Sequence, residues 1–294
     1  MTFADAEGNI RPEGAGSIDR RYLMAKATTK MLAAAMLALG LSSGMAYAQQ
    51  CGNTSSGFNA WKADFAKQAA SRGHGQRALA ALAGTRYNDA TIKADRGQRS
   101  FKLSLEQFME RRGAAQIVRK GKQLKQQNAQ LFSQIEARYG VPAGPLLAIW
   151  GMETNFGGFL GNQNIVSAVA TLAYDCRRSE FFTRQLNAAM QLVDSGNLRP
   201  DAIGAAHGEI GQTQFLPENV IKFGVDGDGD GRIDLIRSRA DALHSTANFL
   251  RGHGWRPGGG YQKGEANYGA IQGWNAAGVY QQAIAIMGRQ IDGK

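Results

Sequence analysis

Ile149-Trp150-Gly151-Met152-Glu153-Thr154-Asn155-Phe156-Gly157-Gly158 places a single carboxyl at the end of an apolar run. Pro142 opens that run, a place proline favours in a first helical turn, and Leu146, Leu147, Ile149 and Trp150 continue it. Trp150 and Ile149 stand three and four residues before Glu153, so its side chain projects beside apolar bulk. Such a carboxyl is desolvated, which disfavours its ionised form and raises its pKa. Still protonated near neutral pH, it can donate to a glycosidic oxygen. Gly157 and Gly158 allow a sharp turn and the approach of a bulky substrate. Spacing alone also accommodates a solvated glutamate at a helix end.

On either side the apolar spacing is mostly helical. Phe58, Trp61 and Phe65 share one helix face. Residues 78–83 form a short Ala-rich helix ended by Gly84, and Leu103, Phe108 and Met109 mark another. The spacing predicts one long, basic helix from Gln116 to Tyr139, with Ile117, Leu124, Leu131 and Ile135 as its stripe and Gly140 as its end. Residues 164–174, 179–193, 238–251 and 278–290 read as further helices. Strand signals are weak and confined to loops, and there are no repeats or long linkers. The pattern is that of a mainly α chain with Gly-rich loops.

Residues 1–23 are polar and mixed in charge, and Met24 follows. Lys26 and Lys30 precede an apolar run over 31–41, and Ala46-Tyr47-Ala48 comes next. A basic flank, a short apolar stretch and small residues at a cleavage point describe a signal peptide over 24–48, with 1–23 as an upstream mis-annotated extension. The run is short for a permanent anchor, and an uncleaved tether is the alternative. Ala48-Gln49-Gln50-Cys51 lacks the small residue that lipid attachment needs before the cysteine. What remains, 49–294, suits one domain with a sizeable core. The chain carries a net charge of +10. A basic exported protein suits an anionic partner, and export favours the bacterial wall over nucleic acid. Cys51 and Cys176 are expected to pair in an oxidising compartment, a closure worth about 4 kcal/mol; a free buried thiol is the alternative.

Asp226, Asp228 and Asp230 alternate with glycines, followed by Gly231, Arg232 and Asp234. These match the first nine positions of an EF-hand loop, with Arg232 offering its carbonyl. The twelfth position, which should be a bidentate glutamate, is Arg237. Calcium would need another carboxylate, and Asp241 is the candidate. A metal-free turn, or Asp241 as a helix N-terminal residue opposite Ser238, is the other reading.

The stretch around Glu153 resembles the catalytic helix end of the membrane-bound lytic transglycosylase B family of glycoside hydrolases (family 103-like). Four more stretches resemble that family in the same order: residues 174–182 with Arg177 and Arg178; Gly208 to Pro217; the Asp-rich loop through Asp241 to Trp255; and Trp274-Asn275 with Tyr280. The resemblance spans about Phe58 to the C-terminus. It implies a lysozyme-like single domain with helices around a catalytic groove and short loop or hairpin insertions. It also implies cleavage of the β-1,4 bond between N-acetylmuramic acid and N-acetylglucosamine with 1,6-anhydro products, and Glu153 as the catalytic acid and base. Gln214 and Asn275 would bond sugar groups, Tyr280 would line the groove, Phe156 and Trp274 would stack on sugars, and Arg177 and Arg178 would meet peptide-stem carboxylates. The bland alternatives are core aromatics and a solvated arginine pair. No cofactor would be needed for chemistry, and calcium would be structural. The expected partners are peptidoglycan strands and the cell-envelope machinery. The expectation is a periplasmic monomer with no stable membrane anchor.

Departures from the family are Ala205 where a serine is usual, Glu209 where alanine is common, and Phe249 and Trp274 where tyrosines are common. Glu209 adds a carboxyl to the loop. As a second acid it would activate water and give hydrolysed ends, as a muramidase does; paired with a nearby arginine it would be structural. A non-catalytic wall-binding protein is the third reading, against which the intact Glu153, Gln214 and Asn275 stand.

Overall fold

In the computed structural model the described residues are 51–97 and 103–294, and residues 1–48, read as extension and signal peptide, lie outside them. The helices run α1 (Phe58–Ser71), α2 (Gln76–Ala83), α3 (Asp89–Arg96), α4 (Leu105–Arg111), α5 (Ala114–Gln127), α6 (Ala129–Tyr139), α7 (Ala143–Thr154), α8 (Ile165–Tyr174), α9 (Ser179–Ser195), α10 (Pro217–Phe223), α11 (Arg239–Gly252), α12 (Tyr268–Trp274) and α13 (Gly278–Asp292). Two two-residue strands, β1 (Gln163–Asn164) and β2 (Ile203–Gly204), pair antiparallel.

The apolar run beginning at Pro142 becomes α7, and every residue of that helix except Glu153 is buried. A helix apolar on all sides belongs inside a core. Leu146, Leu147 and Ile149 have no exposed surface, and each contributes roughly 1.5–3 kcal/mol by leaving water. Pro142 offers no side-chain cap to α7, so Asp292 of α13 takes that task by accepting from Gly144 N at 2.9 Å. Helices α7 and α13 cross closely at glycines: a Cβ on Gly144 would stand 2.2 Å from the Gly288 carbonyl oxygen. On the other side α8 and α9 pack together, and nine of the ten residues of α8 are buried.

The single helix expected over 116–139 is two. Asn128 leaves helical geometry (φ −121°, ψ 33°), and its Nδ2 donates to Leu124 O at 2.8 Å. Asparagine competes for backbone groups in this way, and Arg239 Nη1 fixes the break by donating to Asn128 Oδ1 at 2.6 Å. Leu103 precedes α4 rather than lying on it, and α3, α10 and α12 are helices of only seven or eight residues, too short for apolar spacing to mark. Cys51 and Cys176 form a disulfide with Cα atoms 4.9 Å apart, tying the start of the described chain to the α8–α9 connection.

Candidate active site

The last turn of α7 delivers Glu153, the helix's one partly exposed residue. The chain then leaves through three successive left-handed residues, Asn155 (φ 51°), Phe156 (φ 59°) and Gly157 (φ 80°). Left-handed non-glycine residues cost on the order of 1 kcal/mol or more each and persist only where surroundings over-determine them. Thr154 supplies part of that constraint: its hydroxyl donates to Gln212 O (2.6 Å) and accepts from Gly157 N (2.9 Å). This joins the end of α7 to the 208–217 loop. That loop folds on itself through Ile210 and Phe215, which exchange backbone hydrogen bonds of 2.7 and 3.0 Å. Gly211 (φ 76°) lies so close to Leu235 O that a Cβ would stand 2.3 Å away.

One oxygen of Glu153 is fully committed. Tyr280 Oη donates to Oε1 at 2.7 Å and Trp274 Nε1 donates to the same atom at 3.0 Å. No described residue bonds Oε2. Burial raises the Glu153 pKa, outweighing the two hydrogen bonds and the charge of Arg112, which favour the ionised form. Burial and the neighbouring carboxylate push the Tyr280 phenol well up, so it remains a donor. The result is a carboxyl that holds a proton above the ordinary glutamate range, with one oxygen anchored and one left for chemistry.

Two of the three aromatic side chains named above are buried. Trp274 is 8% exposed, and its ring packs edge-on between Phe215 and Phe249, with centroids at 5.4 and 5.0 Å. Tyr280 is 2% exposed against Phe108. Both present a polar side-chain atom to the Glu153 carboxyl. Phe156 is half-buried, edge-on to Trp150 at 5.4 Å. Gln214 adopts φ 59° and donates through Nε2 to Gly211 O (2.9 Å) and Leu160 O (3.3 Å). Asn275 precedes α13, where its Oδ1 accepts from Ala277 N at 2.9 Å.

Arg177 and Arg178 are ion-paired, although the Arg177 side chain stays 45% exposed. Both reach the buried Asp95 of α3: Arg177 Nε donates to Oδ2 at 2.7 Å, and Arg178 Nη2 meets Oδ1. Glu209 pairs with a histidine instead of an arginine. It accepts from His207 N (2.9 Å) and meets His207 Nδ1 (3.2 Å), while His207 Nε2 stands 3.6 Å from Asp95. Burial alone would raise the Glu209 pKa, but the bonds and charge of His207 and the backbone amides prevail and hold it low. Asp95 and His207 had no motif to announce them, since their partners lie far along the chain or in an unremarkable loop.

In the Asp-rich loop, carboxylate oxygens of Asp226, Asp228 and Asp230 lie within 4.8 Å of one another. Arg232 follows in the same turn, its N–H donating to Asp230 Oδ1 at 2.9 Å. Asp241 stands outside that cluster. It is fully buried, accepts from Gly227 N (2.9 Å) and Asp234 N (2.7 Å), and is itself capped by Ser238.

Residues 57–264 match the family model described as transglycosylase SLT domain. The chain belongs to this family. Over 123 residues this SLT domain is 36% identical to membrane-bound lytic murein transglycosylase B of Escherichia coli (strain K12), a match covering 40% of this chain and 33% of that protein. The aligned segment thus spans a third of the relative's length. A solved structure of SltB3 from Pseudomonas aeruginosa, in complex with NAG-anhNAM-pentapeptide, superposes on the SLT domain with a TM-score of 0.73 at 30% identity, covering 80% of each chain. Escherichia coli Slt35 in complex with calcium superposes with a TM-score of 0.71 at 20% identity, covering 83% of this chain and 96% of that one. These likenesses establish the lysozyme-like, mainly helical fold of the SLT domain.

Proposed function

We propose that this protein is a peptidoglycan lytic transglycosylase. Protonated Glu153 donates to the oxygen linking C1 of N-acetylmuramic acid to N-acetylglucosamine, and the C1–O bond breaks. Positive charge builds on the muramic ring, where the substrate's own N-acetyl group stabilises it. Glu153, now ionised, takes the proton of the C6 hydroxyl as that oxygen bonds to C1. The glutamate thereby regains its proton, and the product is a 1,6-anhydro end. The observation that carries this reading is a single raised-pKa carboxyl anchored through one oxygen by Tyr280 and Trp274. Membership of the SLT family supports it, as does the bound anhydro-sugar peptide of the Pseudomonas relative. Export through a signal peptide to the periplasm fits the disulfide and the charge of +10, and no described helix is long and apolar enough to cross a membrane.

Glu209 does not favour the muramidase alternative, because its carboxylate is engaged on both oxygens by His207. Isolated sacculi should therefore yield anhydro-muramic ends by mass spectrometry, and Glu209→Gln should leave the product type unchanged. Reducing ends from the unaltered protein would make it a hydrolase.

We further propose that Asp226, Asp228 and Asp230 hold a structural calcium ion. Their converging hard oxygens suit that ion, and it would neutralise three like charges in one turn. Asp241 orders the loop from behind through its amides. Calcium at a hundred times its Kd should stabilise the fold by about 2.7 kcal/mol, read as a rise in Tm that chelator reverses. Asp226→Asn should remove the rise, and an unchanged Tm in the unaltered protein would rule the ion out.

A further inference from the structure

Arg112 lies where α4 ends and the chain turns into α5. It is half-buried, and its guanidinium lies over two rings, 5.4 Å from the Phe108 centroid and 5.8 Å from that of Tyr280. A planar cation is attracted to ring faces in this way. Tyr280 is the residue whose hydroxyl anchors Oε1 of Glu153. Arg112 therefore stands over the ring that holds the carboxyl.

The same guanidinium meets the end of α7. Beyond Thr154 the N–H of Asn155 returns to Gly151 O (3.0 Å) and that of Phe156 to Trp150 O (3.2 Å). No backbone N–H of these two residues reaches Met152 O, a carbonyl of the kind that helix ends leave to other donors. Arg112 Nη1 donates to it at 3.5 Å. Met152 directly precedes Glu153, and its carbonyl belongs to the negative end of the helix dipole. That end disfavours a second negative charge in the last turn, and a cation beside it offsets the penalty.

The other elements around Glu153 bring different groups. α12 supplies the Trp274 N–H and α13 the Tyr280 hydroxyl, while Asp292 of α13 lies at the opposite end of α7 on Gly144 N. The buried face of α5 is apolar, with Ala114, Ile117, Gly121 and Leu124. Arg239 of α11 is turned over Trp150 and donates to Asn128. Arg112 is thus the described cation placed to act on Glu153, and its charge favours the ionised carboxyl in opposition to burial.

We propose that Arg112 is a positioning residue for the reaction, steadying the Glu153 carboxylate between proton donation and proton recovery. Burial suits the acid, which must hold a proton, and opposes the base, which must be ionised. Arg112 gives the ionised form a partner of opposite charge while the donors on Oε1 stay in place. This role rests on the function proposed above; the coupling between the two side chains does not.

Carbon-13 titration of the Glu153 carboxyl reads the coupling without any cleavage. In Arg112→Gln the carboxyl should titrate at higher pH than in the unaltered protein. In Arg112→Lys, which keeps the charge, it should stay near the parent's value. Sacculus digestion across pH reads the role in the reaction. Donation needs protonated Glu153, so the rate falls as pH rises through the pKa of that carboxyl. This alkaline limb should move to higher pH in Arg112→Gln, the plateau below it should drop, and Arg112→Lys should restore both. A carboxyl that titrates at the parent's value in Arg112→Gln would overturn the proposal, as would a limb that stays in place while the carboxyl moves. A moved carboxyl in a protein that never cleaves sacculi would instead overturn the enzymatic reading, and with it the role of Arg112 in the reaction, while leaving the coupling established.

Discussion

Glu153→Gln should abolish sacculus solubilisation, lowering the rate by on the order of 10² to 10⁴-fold or more, because one side chain serves as both acid and base. The amide keeps an oxygen at the position that accepts from Tyr280 and Trp274, so the local geometry survives. The stability consequence has a definite sign. A folded-state pKa raised above the unfolded value of about 4.5 means that the native protein binds the extra proton. The stability contributed by that carboxyl is complete below pH 4.5 and is lost as pH rises through the raised value. Glutamine has no charge to desolvate, so at pH 7 the variant should melt no lower than the parent. Loss of activity with an unchanged or higher Tm separates catalysis from folding; a normal rate would remove Glu153 from the mechanism.

Asp95→Ala should have the largest effect on stability. Asp95 is 2% exposed and is shared by Arg177, Arg178 and His207. Its loss would leave Arg178, only 17% exposed at its side chain, without its carboxylate. Breaking a buried pair from one side costs about 3–5 kcal/mol, and the lower end applies because the Arg177 side chain is 45% exposed. For a domain of this size about 3 kcal/mol corresponds to roughly 6–12 °C in Tm. Activity should fall as well, because His207 and Glu209 lead directly into the loop that carries Gln214. A Tm within a degree of the parent would mean that the network is ornamental.

The central helix and its terminal carboxyl were legible because both depend on local order. An uninterrupted apolar run from Pro142 makes a buried helix, and one acid at its end must face something other than the core. The Asp-Gly loop was legible for the same reason, since its carboxylates lie within five residues. What holds Glu153 was not legible. Trp274 and Tyr280 lie 121 and 127 residues away, and nothing in their own neighbourhoods distinguishes a sugar platform from a core donor. The arginine pair was half legible for a similar reason: two adjacent cations suggest exposure, which Arg177 keeps, but their ion pairs need α3 to bring Asp95 beneath them. The Asn128 break depended on Arg239, 111 residues away, closing over its side chain. Family resemblance points to positions in the chain, but the contacts those residues make follow from tertiary packing.

Carbon-13 NMR titration of glutamate-labelled protein, compared with Glu153→Gln, observes the decisive proton directly. The carboxyl resonance missing from the variant should titrate above the ordinary glutamate value of 4.5, because burial outweighs its two donors. A resonance that titrates at or below 4.5 would mean that Glu153 is already ionised at working pH and cannot be the proton donor.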